Sequence, residues 1–452
     1  METDAKHARQ LHIGLALAGT WLGGEGWRRG DSRVEDLHDA ALYLDLARRA
    51  EDAKLDFVFR PDALFLRAQA LAGGPGFSSL DPMLLLAALA RDTRRIGLVS
   101  TASTTFGAPY SVARQLQTLH WLSGGRAGWN IVTSFDGAAN FGDAPMPDSE
   151  QRYARAQEFT DVVRALWRSY PHAALLADRA GGRYADPHQV LPIAHRGAQF
   201  QVAGPLNVPM HGAGEPPLFQ AGASGPGRDF AARTADAVFA ATPDLHAGIA
   251  LRGDLRARAQ AHGRAPDAVR VLPGLSLFLA GSRTQAQALY RDTHAGRGRR
   301  SRLEYLRSVL GVDLGGLAPD QPVGPELLPP IDAQVGSRTH AELLHALIAR
   351  ERPRLDALLE RPEVLGSAHW VVIGTPDDAV REIVARIRAG AADGFIALPG
   401  GALQSLSLLL EEVVPRLAEQ GLFRRDYRGD TLRAHLGMEA DGTADPAGVR
   451  GG

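Results

Sequence analysis

The chain of 452 residues contains no cysteine, which excludes disulfides, thiolate metal ligands and cysteine nucleophiles. It also has no excess of either charge, because 50 basic residues face 51 acidic ones, so no nucleic-acid partner is predicted. No segment offers the long apolar run of a membrane span, and the first ten residues, METDAKHARQ, have no apolar signal-peptide core. These absences predict a soluble, cytoplasmic protein.

Several sequence fingerprints of catalysis and cofactor binding are missing as well. There is no G-x-G-x-x-G, so a built-in dinucleotide site for NAD(P)H is not expected. The sequence has no phosphate-binding G-x-x-x-x-G-K-[ST], no H-E-x-x-H metal motif and no G-x-S-x-G nucleophile elbow. We therefore predict no metal site, and no residue stands out as a catalytic acid, base or nucleophile.

Apolar strand-like runs alternate with helical patterns along the whole chain, as is typical of a parallel sheet built from βα units. The predicted strands lie at residues 11–19, 56–63, 96–104, 127–134, 217–224, 236–242, 269–281 and 394–400. Eight such units are the number in a (β/α)8 TIM barrel, an α/β fold. The pattern alone leaves a doubly wound open sheet as an alternative.

Three stretches exceed a minimal barrel and are predicted to be insertions, at residues 135–151, 171–215 and 282–367. The first follows strand four and the last follows strand seven, so both belong to the barrel rim where active sites form. We expect the last to contain a mobile lid. One domain is predicted over residues 1–438, followed by a disordered tail at 439–452.

The turn after the fifth predicted strand, QAGASGPGRDF, is the first candidate binding site. Ser224 precedes a helix there, and the N–H groups at a helix start can hold a phosphate. Gly222 and Ala223 allow close approach of the backbone. An ordinary helix cap with a glycine turn is the alternative interpretation.

Further candidates are polar residues beside the predicted strand ends. Tyr153 lies in the first turn of the helix after strand four, although it also falls on an apolar stripe typical of core packing. Asp62 ends strand two, where a turn role is the alternative. Ser103 ends strand three, and Asn130 within strand four must find a hydrogen-bond partner in the protein or in a ligand.

Five segments, taken in order, resemble the flavin-dependent monooxygenases of the bacterial-luciferase superfamily, in the branch of the nitrilotriacetate and dibenzothiophene-sulfone monooxygenases. Those segments are GRAGWNIVTS (125–134), RYARAQEFTDVVRALWRSY (152–170), QAGASGPGRDFAARTADAVF (220–239), residues 371–400 and residues 411–437. Each motif is weak alone, but their order and spacing are specific. The resemblance covers nearly the whole chain and favours the barrel over the open sheet.

The resemblance implies an FMN site at the rim of the barrel. Gly222, Ala223 and Ser224 match the family's FMN-phosphate loop, and Tyr153 matches a tyrosine that contacts the phosphate. Asp62 and Asn130 are expected at the flavin ring, and Ser103 joins the expected cofactor-binding set. Ser149 also belongs to the expected cofactor-binding set. Family members often carry histidine at this position, so a proton-transferring role of that histidine does not carry over.

The resemblance also implies a two-component monooxygenase. A separate NAD(P)H:flavin reductase would supply FMNH2, which would react with O2 to a C4a-(hydro)peroxide and place one oxygen atom on a small organic substrate. We expect a homo-oligomer, either a dimer or a tetramer. Two alternatives remain open: a hydride-transfer oxidoreductase that uses deazaflavin or FMN, and a non-enzymatic flavin-binding protein.

Overall fold

A computed structural model describes residues 10–142, 145–222, 224–331, 338–365 and 368–438, with the side chains of 338 and 339 left aside. The described residues form thirteen strands: β1 (His12–Ala16), β2 (Phe57–Arg60), β3 (Gly97–Ser103), β4 (Ala127–Val132), β5 (Leu175–Asp178), β6 (Arg183–Ala185), β7 (His195–Arg196), β8 (Gln201–Val202), β9 (Leu218–Gln220), β10 (Ala237–Ala240), β11 (Arg270–Leu279), β12 (Trp370–Gly374) and β13 (Gly394–Pro399).

Eight of these strands close into a parallel barrel in the order β1, β2, β3, β4, β9, β10, β11, β13. The pairing of β10 with β11, which aligns Ala237 with Arg270, completes the ring and excludes an open sheet. Each of the eight lies inside a range predicted from the sequence. The predicted (β/α)8 barrel is therefore confirmed.

A ninth parallel strand, β12, was not predicted. It pairs with the second half of β11, from Leu275 to Leu279. The first half of β11 pairs with β10 along the same edge of the strand. The ten residues of β11 are long enough to pair with both strands on one edge. The sheet therefore continues outside the barrel beside the rim.

The described helices are α1 (Ala40–Asp52), α2 (Pro82–Asp92), α3 (Pro109–Leu122), α4 (Ser149–Arg168), α5 (Gly225–Thr234), α6 (Leu245–Ala261), α7 (Arg283–Thr293), α8 (Arg299–Leu310), α9 (Arg338–Glu351), α10 (Leu355–Leu359), α11 (Pro362–Leu365), α12 (Pro376–Arg388), α13 (Leu403–Leu408), α14 (Val414–Glu419) and α15 (Leu432–His435). Many begin at a capping side chain, as α2 does where Asp81 accepts from the Leu84 N–H. A π-helical turn, Leu409–Val413, joins α13 to α14. No described helix combines the length and apolar character required to cross a membrane.

The barrel interior is mainly apolar and is closed at the N-terminal ends of its strands. Leu432 of α15 packs at the start of β3 and β4, where a β-carbon on Gly97 would lie 2.6 Å from its side chain. Nearby, buried Arg424 pairs with buried Asp56, which precedes β2. The C-terminal segment therefore plugs this end of the barrel interior.

The three predicted insertions differ in character. The first is shorter than predicted because α4 already begins at Ser149. The second consists mainly of two small hairpins, β5–β6 and β7–β8. The third is largely helical, and α8, α9 and α10 share a hydrophobic cluster of their own. The predicted lid motion stays a prediction, and the predicted tail at 439–452 lies outside the described residues.

Candidate functional site

The turn between β9 and α5 forms a cradle of the kind that binds a phosphate. Ser224 is the N-cap of α5, and its Oγ accepts from the Gly227 N–H at 3.2 Å. A serine hydroxyl that accepts one hydrogen bond still has its own proton to donate. The helix start adds partial positive charge. Ala223 lies outside the described residues.

Tyr153 on α4 faces the same turn. Its ring packs against Phe230 of α5 at 5.9 Å between centroids, and its hydroxyl accepts from the Gln220 side chain at 3.4 Å. A β-carbon on Gly227 would lie 2.6 Å from Tyr153 Oη and 3.1 Å from Ser224 Oγ, and one on Gly222 would lie 2.5 Å from Tyr153 Oη. Both hydroxyls therefore lie close to Gly227, and the absence of side chains on the two glycines leaves space beside the hydroxyls.

Asn130 is buried inside the barrel on β4, below the rim. Its amide donates to Thr101 Oγ1 at 2.9 Å, and Thr101 donates to the Arg60 carbonyl at 2.8 Å. Its Oδ1 is buried without a hydrogen-bond partner among the described residues. An unpaired buried acceptor costs roughly 1–3 kcal/mol, so this oxygen fits a ligand donor.

Ser103 and Asp62 lie at the ends of β3 and β2. Ser103 Oγ is 2.8 Å from Ser134 Oγ and accepts from the Thr105 N–H at 3.2 Å, which is a turn-capping role. Burial raises the pKa of half-buried Asp62; the Ala63 N–H opposes this rise, and Asp81 adds to it. Both residues reach the rim, but the structure gives neither a direct contact with the cradle.

Ser149 is the first residue of α4, one turn before Tyr153, so the two share a helix face. Its side chain is half-buried. The cap of α4 is Asp148, whose carboxylate accepts from the Gln151 N–H. A cofactor role of Ser149 stays a prediction.

On the other side of the rim is a largely apolar cavity of about 640 Å³. Residues of β1, β2, β10, β11, β12 and β13 line it together with α7, α11 and the segments beside them. Its larger side chains are Phe59, Phe77, Phe239, Phe278, Tyr290, His294, Arg297, Leu365, His369 and Leu398.

Two histidines in the wall of this cavity are held neutral. Burial lowers the pKa of His369 to about 4, and burial also lowers the pKa of His294. Burial and nearby carboxylates raise the pKa of Tyr290 to about 12, so its hydroxyl stays protonated. Near neutral pH these three side chains therefore carry no charge.

Gln220, Thr101 and the cavity residues of the third insertion were not predicted from the sequence. Gln220 and Thr101 carry no motif, and their role is visible only from their contacts with Tyr153 and Asn130. His294 and His369 are 75 positions apart in the chain, so only the fold brings them to one cavity. No local pattern indicates them.

The closed parallel barrel carries a hydroxyl cradle on one side of its rim and an apolar cavity on the other, and the active sites of (β/α)8-barrel enzymes form at this rim. Residues 26–394 match the family model described as luciferase-like monooxygenase. The chain belongs to the luciferase-like monooxygenase family, and it is a flavin-dependent monooxygenase, as the resemblance of its segments implied.

Individual relatives span nearly the whole chain. Nitrilotriacetate monooxygenase component A of Aminobacter aminovorans is 37% identical over 444 residues, covering 95% of this chain and 97% of that protein. Dibenzothiophene-sulfone monooxygenase of Rhodococcus erythropolis (strain XP) is 35% identical over 460 residues, with the same coverage of both chains. A solved structure of riboflavin lyase with modified FMN and riboflavin is 30% identical, covers 95% of this chain and 96% of its own, and gives a TM-score of 0.79.

Gly227→Ala is expected to weaken FMN binding by about 10- to 100-fold, the equivalent of one or two charge-assisted hydrogen bonds. The new methyl group would displace the Tyr153 hydroxyl, which a β-carbon at this position approaches to 2.6 Å. Gly225→Ala is the matched control, because a β-carbon there meets nothing within 4 Å. Fluorescence titration measures the FMN affinity of both variants. If Gly227→Ala bound FMN as tightly as Gly225→Ala does, the phosphate would bind elsewhere.

Proposed function

We propose that this chain is the oxygenase component of a two-component system that receives reduced FMN from a separate NAD(P)H:flavin reductase. With FMNH2 and O2 it places one oxygen atom on a small organic substrate and releases the other as water. The observation that carries the proposal is the convergence of the Ser224 and Tyr153 hydroxyls over Gly227 at the start of α5. This cradle lies at the open rim of a barrel that belongs to a monooxygenase family.

The described residues fit FMN. The Ser224 and Tyr153 hydroxyls would donate to the phosphate, and the start of α5 would favour its charge. Asn130 Oδ1 would accept from the N3–H of the flavin ring, which supplies the donor that this oxygen lacks. Asp62, Ser103, Ser149, Gly222 and Ala223 remain proposed parts of the same site.

Reduced FMN, when bound, supplies the electrons with which O2 is activated for oxygen transfer. The chain's contribution is to bind, orient and shield the reactants. The apolar cavity beside the polar half of the rim excludes water from the reacting groups. Neutral His294 and His369 add no charge to that wall.

A separate reductase is part of the proposal for two reasons. The sequence has no G-x-G-x-x-G fingerprint for a nicotinamide dinucleotide. The relative from Aminobacter aminovorans is named as component A, which supports a multi-component arrangement. The homo-oligomeric state stays a prediction from the sequence.

The purified chain mixed with FMN, NADH and air is expected to oxidise NADH no faster than a protein-free control. Addition of a flavin reductase should start NADH oxidation, which is measured as the loss of the near-ultraviolet absorbance band of NADH. Sustained NADH oxidation without a reductase would contradict the two-component proposal and favour a self-sufficient hydride-transfer enzyme. Flavin that stays bound through redox cycles without oxygen uptake would instead favour a flavin-binding protein.

A further inference from the structure

The substrate side of the rim has a distinct chemical character. Inward-facing residues of five barrel strands form its floor and wall: Ala16 of β1, Phe59 of β2, Phe239 of β10, Phe278 of β11 and Leu398 of β13. None of the described residues proposed to bind FMN lines this cavity: Asp62 follows β2 next to Pro61 of the cavity wall, and the others belong to β3, β4, α4 and the turn before α5. The flavin and substrate halves of the site are thus built from different residues.

Charge is scarce on this side. Among the described residues that line the 640 Å³ cavity, only Arg297 carries a permanent charge. Arg297 is exposed at the mouth and donates to the Leu365 carbonyl. An adjoining cavity of about 480 Å³ shares Arg297 and adds the carboxylate of Glu25, but its described lining adds no cation.

A substrate with several carboxylates would be poorly stabilised here. Each carboxylate that enters an apolar cavity loses its hydration and needs a cation or several donors in return. One exposed arginine cannot neutralise three such groups, and Glu25 of the adjoining cavity is already paired with Arg28 at 2.8 Å, so that pair offers them no free cation. The cavity therefore disfavours polycarboxylate substrates.

The walls are rich in aromatic rings. Phe278 meets Tyr290 edge to face at 4.9 Å and His294 at 5.6 Å, while Phe239 lies 5.0 Å from His369 and 5.4 Å from Phe59. Such rings offer both faces and edges to an aromatic ligand. Burial of a flat apolar molecule against them is favourable by about 25 cal/mol per Å² of apolar surface.

We propose that the substrate of this chain is a neutral, largely aromatic molecule rather than a polycarboxylate. This inference rests on the proposed function, because it names the substrate class of the same site. The observations that carry it are the aromatic wall around Phe278 and the presence of one permanent cation, Arg297, among the described lining residues.

Equilibrium binding to the FMN-saturated protein tests the inference without reductase or turnover. The probes are 2-naphthyl methyl sulfide, which is neutral and aromatic, and nitrilotriacetate, which carries several carboxylates. By calorimetry we expect the sulfide to bind at least about 100-fold more tightly than nitrilotriacetate, since the carboxylates must be desolvated. Phe278→Ala should weaken sulfide binding about tenfold.

Phe200→Ala is the matched control, because Phe200 packs against Phe159 and Arg155 and does not line the cavity. It should leave sulfide binding within about twofold of the parent. Ser276→Lys is a second test that removes no core side chain. It adds a cation to the cavity wall, so it should strengthen nitrilotriacetate binding and weaken sulfide binding.

Tighter binding of nitrilotriacetate than of the sulfide by the parent protein would overturn the inference. The inference would also be overturned if both the Phe278→Ala variant and the Ser276→Lys variant bound the sulfide as tightly as the parent protein does. These outcomes are separable from failure of the proposed function, because binding requires no oxygenation. A chain that oxygenates a polycarboxylate would refute the substrate class alone, whereas a chain that binds the sulfide but never consumes oxygen with reduced flavin would refute the function.

Discussion

Ser224→Asp is expected to abolish FMN binding, with a loss of affinity of at least about 100-fold. Two like unit charges about 4 Å apart repel each other by about 4 kcal/mol at an effective dielectric constant of 20. This repulsion is more than enough to lower the affinity about 100-fold. Asp caps a helix as well as Ser does, so α5 should remain intact. The loss would therefore report repulsion of the phosphate rather than unfolding of the site.

Ser282→Asp is the matched control for this variant. Ser282 is the N-cap of α7 and accepts from the Gln285 N–H, so the same substitution is made at an equivalent helix start outside the proposed phosphate site. Quenching of FMN fluorescence measures both affinities, and thermal melts confirm folding. FMN binding by Ser224→Asp that equals that of the parent would show that the phosphate binds elsewhere.

Arg424→Met is expected to cost about 3–5 kcal/mol of unfolding free energy, the range found when one partner of a buried ion pair is removed. Arg424 and Asp56 are both buried, Asp56 also accepts from the Ile13 N–H at 2.6 Å, and Arg424 donates to the His435 carbonyl at 3.0 Å. The pair joins the C-terminal segment to the start of β2. Its loss should loosen the plug that closes the barrel.

The same pair makes a prediction about pH. Burial alone would raise the pKa of Asp56, but Arg424, His12 and the Ile13 N–H together hold that pKa below its usual value. The folded state therefore binds a proton at Asp56 less readily than the unfolded chain does. This stabilisation is present above the unfolded pKa of about 4 and is lost as the pH falls through the lowered folded value.

Urea unfolding of Arg424→Met beside Arg425→Met measures the effect, because Arg425 is exposed and serves as the control. Arg425→Met should change the unfolding free energy by less than about 0.5 kcal/mol. Equal stabilities of the two variants would mean that the buried pair does not hold the C-terminal segment to the barrel.

The barrel was predictable because its strands are continuous apolar runs separated by helical patterns. All eight ranges contain an observed barrel strand, since burial on both faces leaves a clear signal in the sequence. β12 was missed although VVIG is strand-like, because nothing local shows that β11 has a free edge beyond β10. Pairing of that kind is decided by strand length and closure of the ring.

The cradle was partly predictable and the cavity was not. Ser224 and Tyr153 belong to recognisable turns and helices, and the structure brings their hydroxyls together. Ser103 instead caps a turn through the Thr105 N–H, a role that its position at a strand end does not distinguish from ligand binding. The cavity joins β-strands to residues of the third insertion, so its composition depends on how that insertion packs.

The most direct test of the central claim is turnover under 18O2. The complete mixture contains the chain, FMN, NADH, a separate flavin reductase and a neutral aromatic sulfide, and mass spectrometry follows the product. The account predicts one 18O atom in each product molecule, formed only when all components are present, and none in parallel reactions with Ser224→Asp. A product that carries no 18O, or one formed at an equal rate without the reductase, would contradict the account.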